Sequence, residues 1–296
     1  FIVGTPPAEV KSIRQIWKVD SRPYSAISNN TYFAPRIMDL DTSARIFKIR
    51  SAITGHGQEG EFIPRTHTIT VNSNNFPRFV WKECAENPVF PQGGTWIYDR
   101  AGWCPGMATD VAEYDITNLV QSSSINVDYG VSNATGTSNY IVSNQLVEYG
   151  PLNFANDARI ENVRRPNQQT EFGKKNPTCF DPVIILRNTG SNNLSSATIE
   201  VSVNNSTPFT YNWTGNLNPL DSESVSIPVP GSFWVAANQS VNTFTARITG
   251  VNNGSDQYVH NNHYNSRFSM ADTLPSQFRM IIKTNNAAFQ NSITIR

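Results

Sequence analysis

Apolar and polar residues alternate in short runs along most of the chain, and Gly, Pro, Asn and Asp separate the runs. Within Ser124–Val131, Ile125, Val127, Tyr129 and Val131 fall at every second position and share one face of an extended strand. In Arg65–Val71, His67, Ile69 and Val71 share one face, and Thr66, Thr68 and Thr70 share the other. Across Ala44–Ile53, Phe47, Ile49 and Ile53 lie on one face, with Lys48 and Arg50 opposite. Further strands are expected at Phe1–Val3, Ile13–Val19, Asp110–Leu119 and Tyr140–Tyr149, and Gly55–Gly60 (GHGQEG) reads as a loop. Few stretches show a helical period. So many strands with long connections fit two packed antiparallel sheets, a jelly roll.

The alternation lapses over Pro151–Pro177, a polar and partly basic stretch that reads as a linker. It resumes at Pro182–Asn188, Ala197–Val203, Ser224–Val229, Thr243–Thr249 and Ser266–Met270, at spacings that fit a small immunoglobulin-like sandwich. Phe278–Lys283 and Ser292–Arg296 read as strands that close this unit or open another. The chain is thus expected to be all-β. A jelly roll covers 1–150, a linker 151–177 and an immunoglobulin-like β-sandwich 178–275, with 276–296 ending that sandwich or starting a further β module.

Composition narrows the partners. The 296 residues carry a formal net charge of zero, which argues against nucleic acid or an anionic membrane as the main partner, since both select for a basic surface. No apolar run has the length of a transmembrane helix. Phe1 opens FIVGTPP without a basic region or a cleavage site, so no signal peptide is read there. FIVG and the terminal SITIR both read as strands cut short, and the sequence is expected to be a piece of a longer polypeptide. Three cysteines, Cys84, Cys104 and Cys179, fit neither a complete disulfide framework nor a four-ligand zinc site; one pair and one free thiol is the simplest count.

The densest chemistry lies in Pro91–Met107, PQGGTWIYDRAGWCPGM. Its Gly and Pro residues exclude a helix or strand interior, and loops set by a rigid scaffold often carry function. Trp96, Tyr98, Arg100 and Trp103 offer flat faces and fork-shaped donors, a common way to hold a sugar ring. The competing reading is a hydrophobic clamp tied down by Cys104, with Asp99 and Arg100 as a local ion pair.

GTWIYDRAGWCPGMA (Gly94–Ala108), RTHTITVN (Arg65–Asn72) and ITGHG (Ile53–Gly57) together resemble the C-terminal jelly roll of the peptide:N-glycosidase F family, over about Phe1–Gly150. That family hydrolyses the amide joining an N-linked glycan to asparagine. The resemblance implies an N-glycan or glycoprotein as substrate and no cofactor or metal. It implies that Cys84 and Cys104 form a disulfide, which points to an oxidising compartment, secreted or at a bacterial cell surface. Carried over by position, Glu61 matches a glutamate essential for activity, and Arg100 and Trp103 match residues lining the sugar cleft. Arg100 could donate to the scissile amide oxygen, or pair with a carboxylate. Trp96 and His56 are further substrate-binding candidates, and Glu59 is the weaker alternative to Glu61.

Departures from the family accompany the match. Glu59 and Ile63 stand where the family has cysteines flanking the glutamate, and His56 replaces a tryptophan. The family's catalytic aspartate lies in a D-E-W-D-R motif of an N-terminal jelly roll, and no such motif occurs in this sequence. That roll is therefore an expected partner, in the same precursor or another chain. The pattern Asn176–Gly190 resembles adhesion-type modules of Bacteroidetes secreted proteins, which use outer-membrane type IX secretion machinery. Asp272-Thr273-Leu274 resembles a short O-glycosylation motif of the same bacteria.

Other constellations are weaker. His260 and His263 form an H-x-x-H in a polar loop, and His67 reads as a hydrogen-bonded core residue. His56 and His67 do not make a copper-ligand set, so copper monooxygenase chemistry rests on fold analogy alone. Cys179 reads as a buried or unpaired thiol. The expected function is part of a secreted amidase that releases N-glycans; the alternative is a non-catalytic glycan-binding or structural surface protein.

Overall fold

A computed structural model describes residues 5–85, 87–89, 92–175, 180–238 and 240–271, together with 277, 279, 281 and 283. The strands expected at Phe1–Val3, Phe278–Lys283 and Ser292–Arg296, the 276–296 module, Cys179 and Thr273 fall wholly or largely outside the described residues.

The first unit is a two-sheet sandwich built from β1 (Val10–Gln15), β2 (Asp20–Pro23), β3 (Arg36–Asp39), β4 (Ile46–His56), β5 (Arg65–Val71), β6 (Asn74–Val80), β7 (Val111–Asp115), β8 (Ser124–Val131) and β9 (Asn139–Tyr149). One sheet has the order β1-β9-β4-β7, with β2 beside the far end of β9; the other is β3-β8-β5-β6. All pairings are antiparallel. The spine is the unbroken register of β4 and β9 from Ile46↔Tyr149 to His56↔Asn139. Ile49, Ile53, Val142 and Leu146 of one sheet meet Ile69, Val71, Ile125 and Val127 of the other in a dry core. Burying such side chains contributes about 1.5–3 kcal/mol each. Two short helices, α1 (Tyr24–Ser28) and α2 (Gln58–Phe62), interrupt the strands.

The second unit packs β10 (Ala158–Arg165), β11 (Val183–Asn188) and β14 (Ser222–Ser226) in one sheet against β12 (Leu194–Val203), β13 (Phe209–Leu217), β15 (Asn242–Val251) and β16 (His263–Phe268) in the other. Their orders are β10-β11-β14 and β13-β12-β15-β16. Ile160, Ile184, Leu186, Ile199, Val201, Trp213, Phe244, Ile248 and Phe268 fill its core.

The structure corrects the sequence reading in three places. The expected linker 151–177 contains β10, which pairs with β11 from Ala158↔Asn188 to Arg165↔Val183. Its period was hidden because the register shifts between Ile160 and Asn162 and again between Val163 and Arg165, so the buried Ile160 and Val163 are three apart. Gly55–Gly60 is not simply a loop: β4 runs through to His56, and α2 starts at Gln58. Strands β2, β3, β6 and β13 also escaped the alternation: β2 and β3 are four residues each, Pro77 interrupts β6, and β13 buries only Trp213 and Leu217.

The Asn-rich composition has a local use. Asn72-Ser73, Asn204-Asn205 and Asn252-Asn253 all have positive φ at both residues, as tight hairpin turns require, and Asn tolerates that conformation best after Gly. The two sandwiches meet along the outer face of β4. Lys48 is 2% exposed. Its Nζ donates to the Leu220 carbonyl at 3.0 Å and to Asp221 at 3.1 Å. The polar face of Ala44–Ile53 is therefore covered by the second sandwich at this point rather than by water.

Candidate functional site

The site is assembled where β4 leaves the sheet. Gly57, at φ 75°, turns the chain into α2, and a Cβ there would lie 2.3 Å from the Thr137 carbonyl oxygen. Gly55 lets the helix lie against the strand, since a Cβ would sit 1.9 Å from the Gly60 carbonyl oxygen. The Asp99–Cys104 segment is then stitched to both neighbours. The Ala101 amide donates to the Glu61 carbonyl and the Gly55 amide to the Ala101 carbonyl, each at 2.9 Å. Arg100 and Lys82 exchange backbone hydrogen bonds of 2.8 and 3.1 Å. A disulfide joins Cys84 to Cys104. The Cys84 amide donates to Asp99 Oδ1 at 2.9 Å.

Arg100 organises this arrangement. Its side chain is 4% exposed, and Nε donates to Glu61 Oε1 at 2.6 Å. One terminal nitrogen donates to the Tyr98 and Trp96 carbonyls at 2.7 and 3.3 Å. The other donates to the Thr95 carbonyl at 2.7 Å and the Thr95 hydroxyl at 2.9 Å. These bonds engage all five N–H groups of the guanidinium, so Arg100 has no donor left for a ligand in this geometry. Of the two uses open from sequence, the structure displays the pairing with a carboxylate. The local ion pair between Asp99 and Arg100 is absent; Glu61 takes the arginine, and Asp99 accepts from the Cys84 amide instead.

Around this buried pair stands a wall of rings. The Trp103 indole donates to the Gly55 carbonyl at 3.0 Å and stacks on His56 with centroids 5.5 Å apart and planes 29° apart. The Arg100 guanidinium carbon lies 5.3 Å from the Trp103 ring and 5.2 Å from Phe62. His56 also bonds the Thr54 hydroxyl at 2.8 Å. Burial lowers the pKa of His56, partly opposed by the Glu61 carboxylate, and the ring is held neutral. Glu61 keeps Oε2 without a hydrogen bond from any described residue, on a side chain 20% exposed. Tyr98 and Ile97 stand out at 59% and 48% exposure.

Five sequence candidates are thus brought together: Glu61, Arg100, Trp103, His56 and, through its carbonyl, Trp96. The weaker candidate Glu59 faces away, its carboxylate accepting from the Thr135 hydroxyl. His67 lies apart in the core with Nδ1 2.6 Å from the Tyr129 hydroxyl, and burial pushes its pKa down to about 3. His263 sits opposite Arg247 in the β15–β16 pairing, and His260 packs against Tyr258. Sequence reasoning missed Thr95 and Asn87. Asn87 is fully buried, donates to the Pro105 carbonyl at 2.6 Å and accepts from the Val89 amide at 2.9 Å. The Asn-Pro dipeptide at 87–88 is the turn signal that could have found it.

Residues 23–147 match the family described as peptide-N-glycosidase F, C terminal. The peptide-N(4)-(N-acetyl-beta-D-glucosaminyl)asparagine amidase F of Elizabethkingia miricola is 28% identical over 147 residues, 44% of this chain and 41% of the relative. This chain therefore spans well under two thirds of that curated relative. Among solved structures, PNGase F, a glycosylasparaginase from Flavobacterium meningosepticum, aligns with a TM-score of 0.46 and 26% identity over 50% of this chain and 55% of that one. A second asparagine amidase crystal structure gives a TM-score of 0.44 and 24% identity over 51% and 56%. Glu61, Arg100, Trp103, His56 and both cysteines of the disulfide lie within the matched span. The second sandwich lies outside it.

Proposed function

We propose that this chain is the part of a secreted peptide-N-glycosidase F-like amidase that presents the glycan-binding half of the active site to an N-glycoprotein. The observation that carries the reading is Glu61, clamped by the buried Arg100 with its second oxygen free, beside the Trp103–His56 stack. Glu61 would accept from a sugar hydroxyl, and Trp103 with His56 would offer a face to a pyranose ring. Arg100 acts as a positioning residue for Glu61 and the loop. The catalytic aspartate is supplied by an N-terminal jelly roll in the same precursor or a companion chain. The disulfide supports an oxidising compartment. No helix of the described residues is long and apolar enough to cross a membrane. The order of the second sandwich, β10-β11-β14 on β13-β12-β15-β16, supports an immunoglobulin-type appended module.

The test is a glycopeptide treated with the full-length precursor and read by mass spectrometry for release of the glycan with conversion of Asn to Asp. Release that disappears in Glu61→Ala supports the amidase. A full-length protein that leaves every N-glycopeptide intact overturns it. The second reading, a glycan-binding surface protein without catalysis, is favoured by the same aromatic wall. It predicts glycan binding to the full-length protein with no release.

A further inference from the structure

The two sandwiches enclose a groove of about 910 Å³, within the size range of ligand pockets and at a unit boundary where such pockets concentrate. It contains none of Glu61, Arg100, Trp103 and His56, and shares with their site only Lys82 and the loop residue Met107. Phe79 and Trp81 line it from the first sandwich, and Phe172 lines it from the second. Phe79 is 63% exposed and offers its ring to the groove.

The polar groups of the groove divide into those already engaged and those left open. Lys82 is held by Asp110 at 2.6 Å and the Ala108 carbonyl at 2.8 Å, and Glu161 is held by Arg159 and Arg187 at 2.5 and 3.1 Å. The side chains of Glu83, Glu171 and Arg164 make no hydrogen bond or ion pair with the described residues. Asn162 Oδ1 is buried in the wall with no partner. The open inventory is therefore aromatic faces, two carboxylates, one guanidinium and one amide oxygen. That mixture of flat apolar surface with acceptors and a donor suits a neutral, hydroxyl-rich ring. A nucleic acid or other polyanion would meet the carboxylates. A peptide adding to the edge strand β6 would meet Pro77, which has no N–H to donate.

We infer that this groove is a second carbohydrate-binding site, occupied by a neutral oligosaccharide, with Phe79, Trp81 and Phe172 stacking on its rings and Glu171, Arg164 and Asn162 meeting its hydroxyls. It stands independently of the amidase reading, because it requires binding and no chemistry.

The experiment titrates the whole chain with a free high-mannose oligosaccharide and, separately, with a chito-oligosaccharide, by calorimetry and tryptophan fluorescence. Phe79→Ala and Phe172→Ala each weaken binding by about tenfold. Arg164→Ala, at an exposed side chain without a hydrogen-bond or ion-pair partner among the described residues, weakens it as well and keeps the test valid should an aromatic variant unfold. Binding that is lost in Trp103→Ala and untouched by the groove variants overturns the proposal, as does absence of binding to either oligosaccharide. Binding of an unglycosylated peptide in their place overturns it too. Loss of glycan release in the full-length protein with groove binding intact would count against the amidase reading alone.

Discussion

Arg100→Lys separates a structural arginine from a catalytic one. The guanidinium serves five acceptors: Glu61 Oε1, the carbonyls of Thr95, Trp96 and Tyr98, and the Thr95 hydroxyl. An ammonium offers three donors from one point and cannot span them, so two or more acceptors lose their partner. A buried polar group left unpaired costs about 1–3 kcal/mol. Thr95 is exposed and can turn to water, which holds the total near the lower end, about 2–4 kcal/mol. For a domain of this size each kcal/mol moves the melting point by about 2–4 °C, so Arg100→Lys should lower it by about 5–15 °C. Arg100→Met removes the charge as well, leaves Glu61 facing an apolar side chain, and should cost more, about 3–5 kcal/mol.

The assay is thermal unfolding of the whole chain with limited proteolysis of the 92–107 loop. Arg100→Lys is expected to melt earlier and to be cut in that loop while still folded elsewhere, since the disulfide still anchors Cys104. A variant that melts within about 2 °C of the parent and resists cleavage would refute the reasoning, because the inward hydrogen bonds would then hold nothing. If such a stable variant also abolished glycan release by the full-length protein, Arg100 would be acting on substrate directly.

Other outcomes follow from the same geometry. Reducing the Cys84–Cys104 disulfide, which closes a separation of 20 residues, should cost about 3 kcal/mol and lower the melting point of the first sandwich; unchanged melting in reductant would contradict this. Burial, reinforced by Asp256, raises the Asp157 carboxyl from 3.8 to about 7. The folded form thus binds this proton more tightly than the unfolded chain, so the contribution of Asp157 to the stability of the second sandwich is fully present below about pH 4 and is lost as pH rises through about 7. Asp157→Asn should flatten that slope in urea unfolding between these limits. Lys48→Met removes the buried ammonium from the Leu220 carbonyl and Asp221 and should cost about 1–3 kcal/mol, seen as easier proteolytic separation of the two sandwiches.

How far the sequence could be read depends on which force set each element. Ser124–Val131 and Arg65–Val71 coincide with β8 and β5, because a strand with one face in the core must repeat every two residues. β10 escaped because its two register shifts break that repeat, although Ile160 and Val163 are both buried. Lys48 was assigned to a polar face correctly, yet nothing local to Ala44–Ile53 encodes that Leu220 and Asp221 would cover it. The family motif brought Glu61, Arg100 and Trp103 to attention, and in the structure they meet. The partner of Arg100 was not legible: its neighbour Asp99 and the distant Glu61 are the same chemical group, and the backbone bonds that bring the Arg100 segment beside Lys82 and α2 are long-range.

The inward direction of those charges decides what kind of surface the loop can show. Arg100 spends its donors on Glu61 and the loop, Asp99 accepts from the Cys84 amide, and Lys82 is bound to Asp110. With these charges engaged, a ligand arriving at the loop meets the exposed Tyr98 and Ile97, the edge of the Trp103–His56 stack, and the one open oxygen of Glu61. A burial-lowered imidazole adds a neutral ring rather than a cation to that wall. Recognition there must come from stacking and from one fixed acceptor, not from long-range attraction, so binding should change little with ionic strength. A steep loss of glycan affinity on raising salt from low to physiological levels would mean that a charged group other than these faces the ligand.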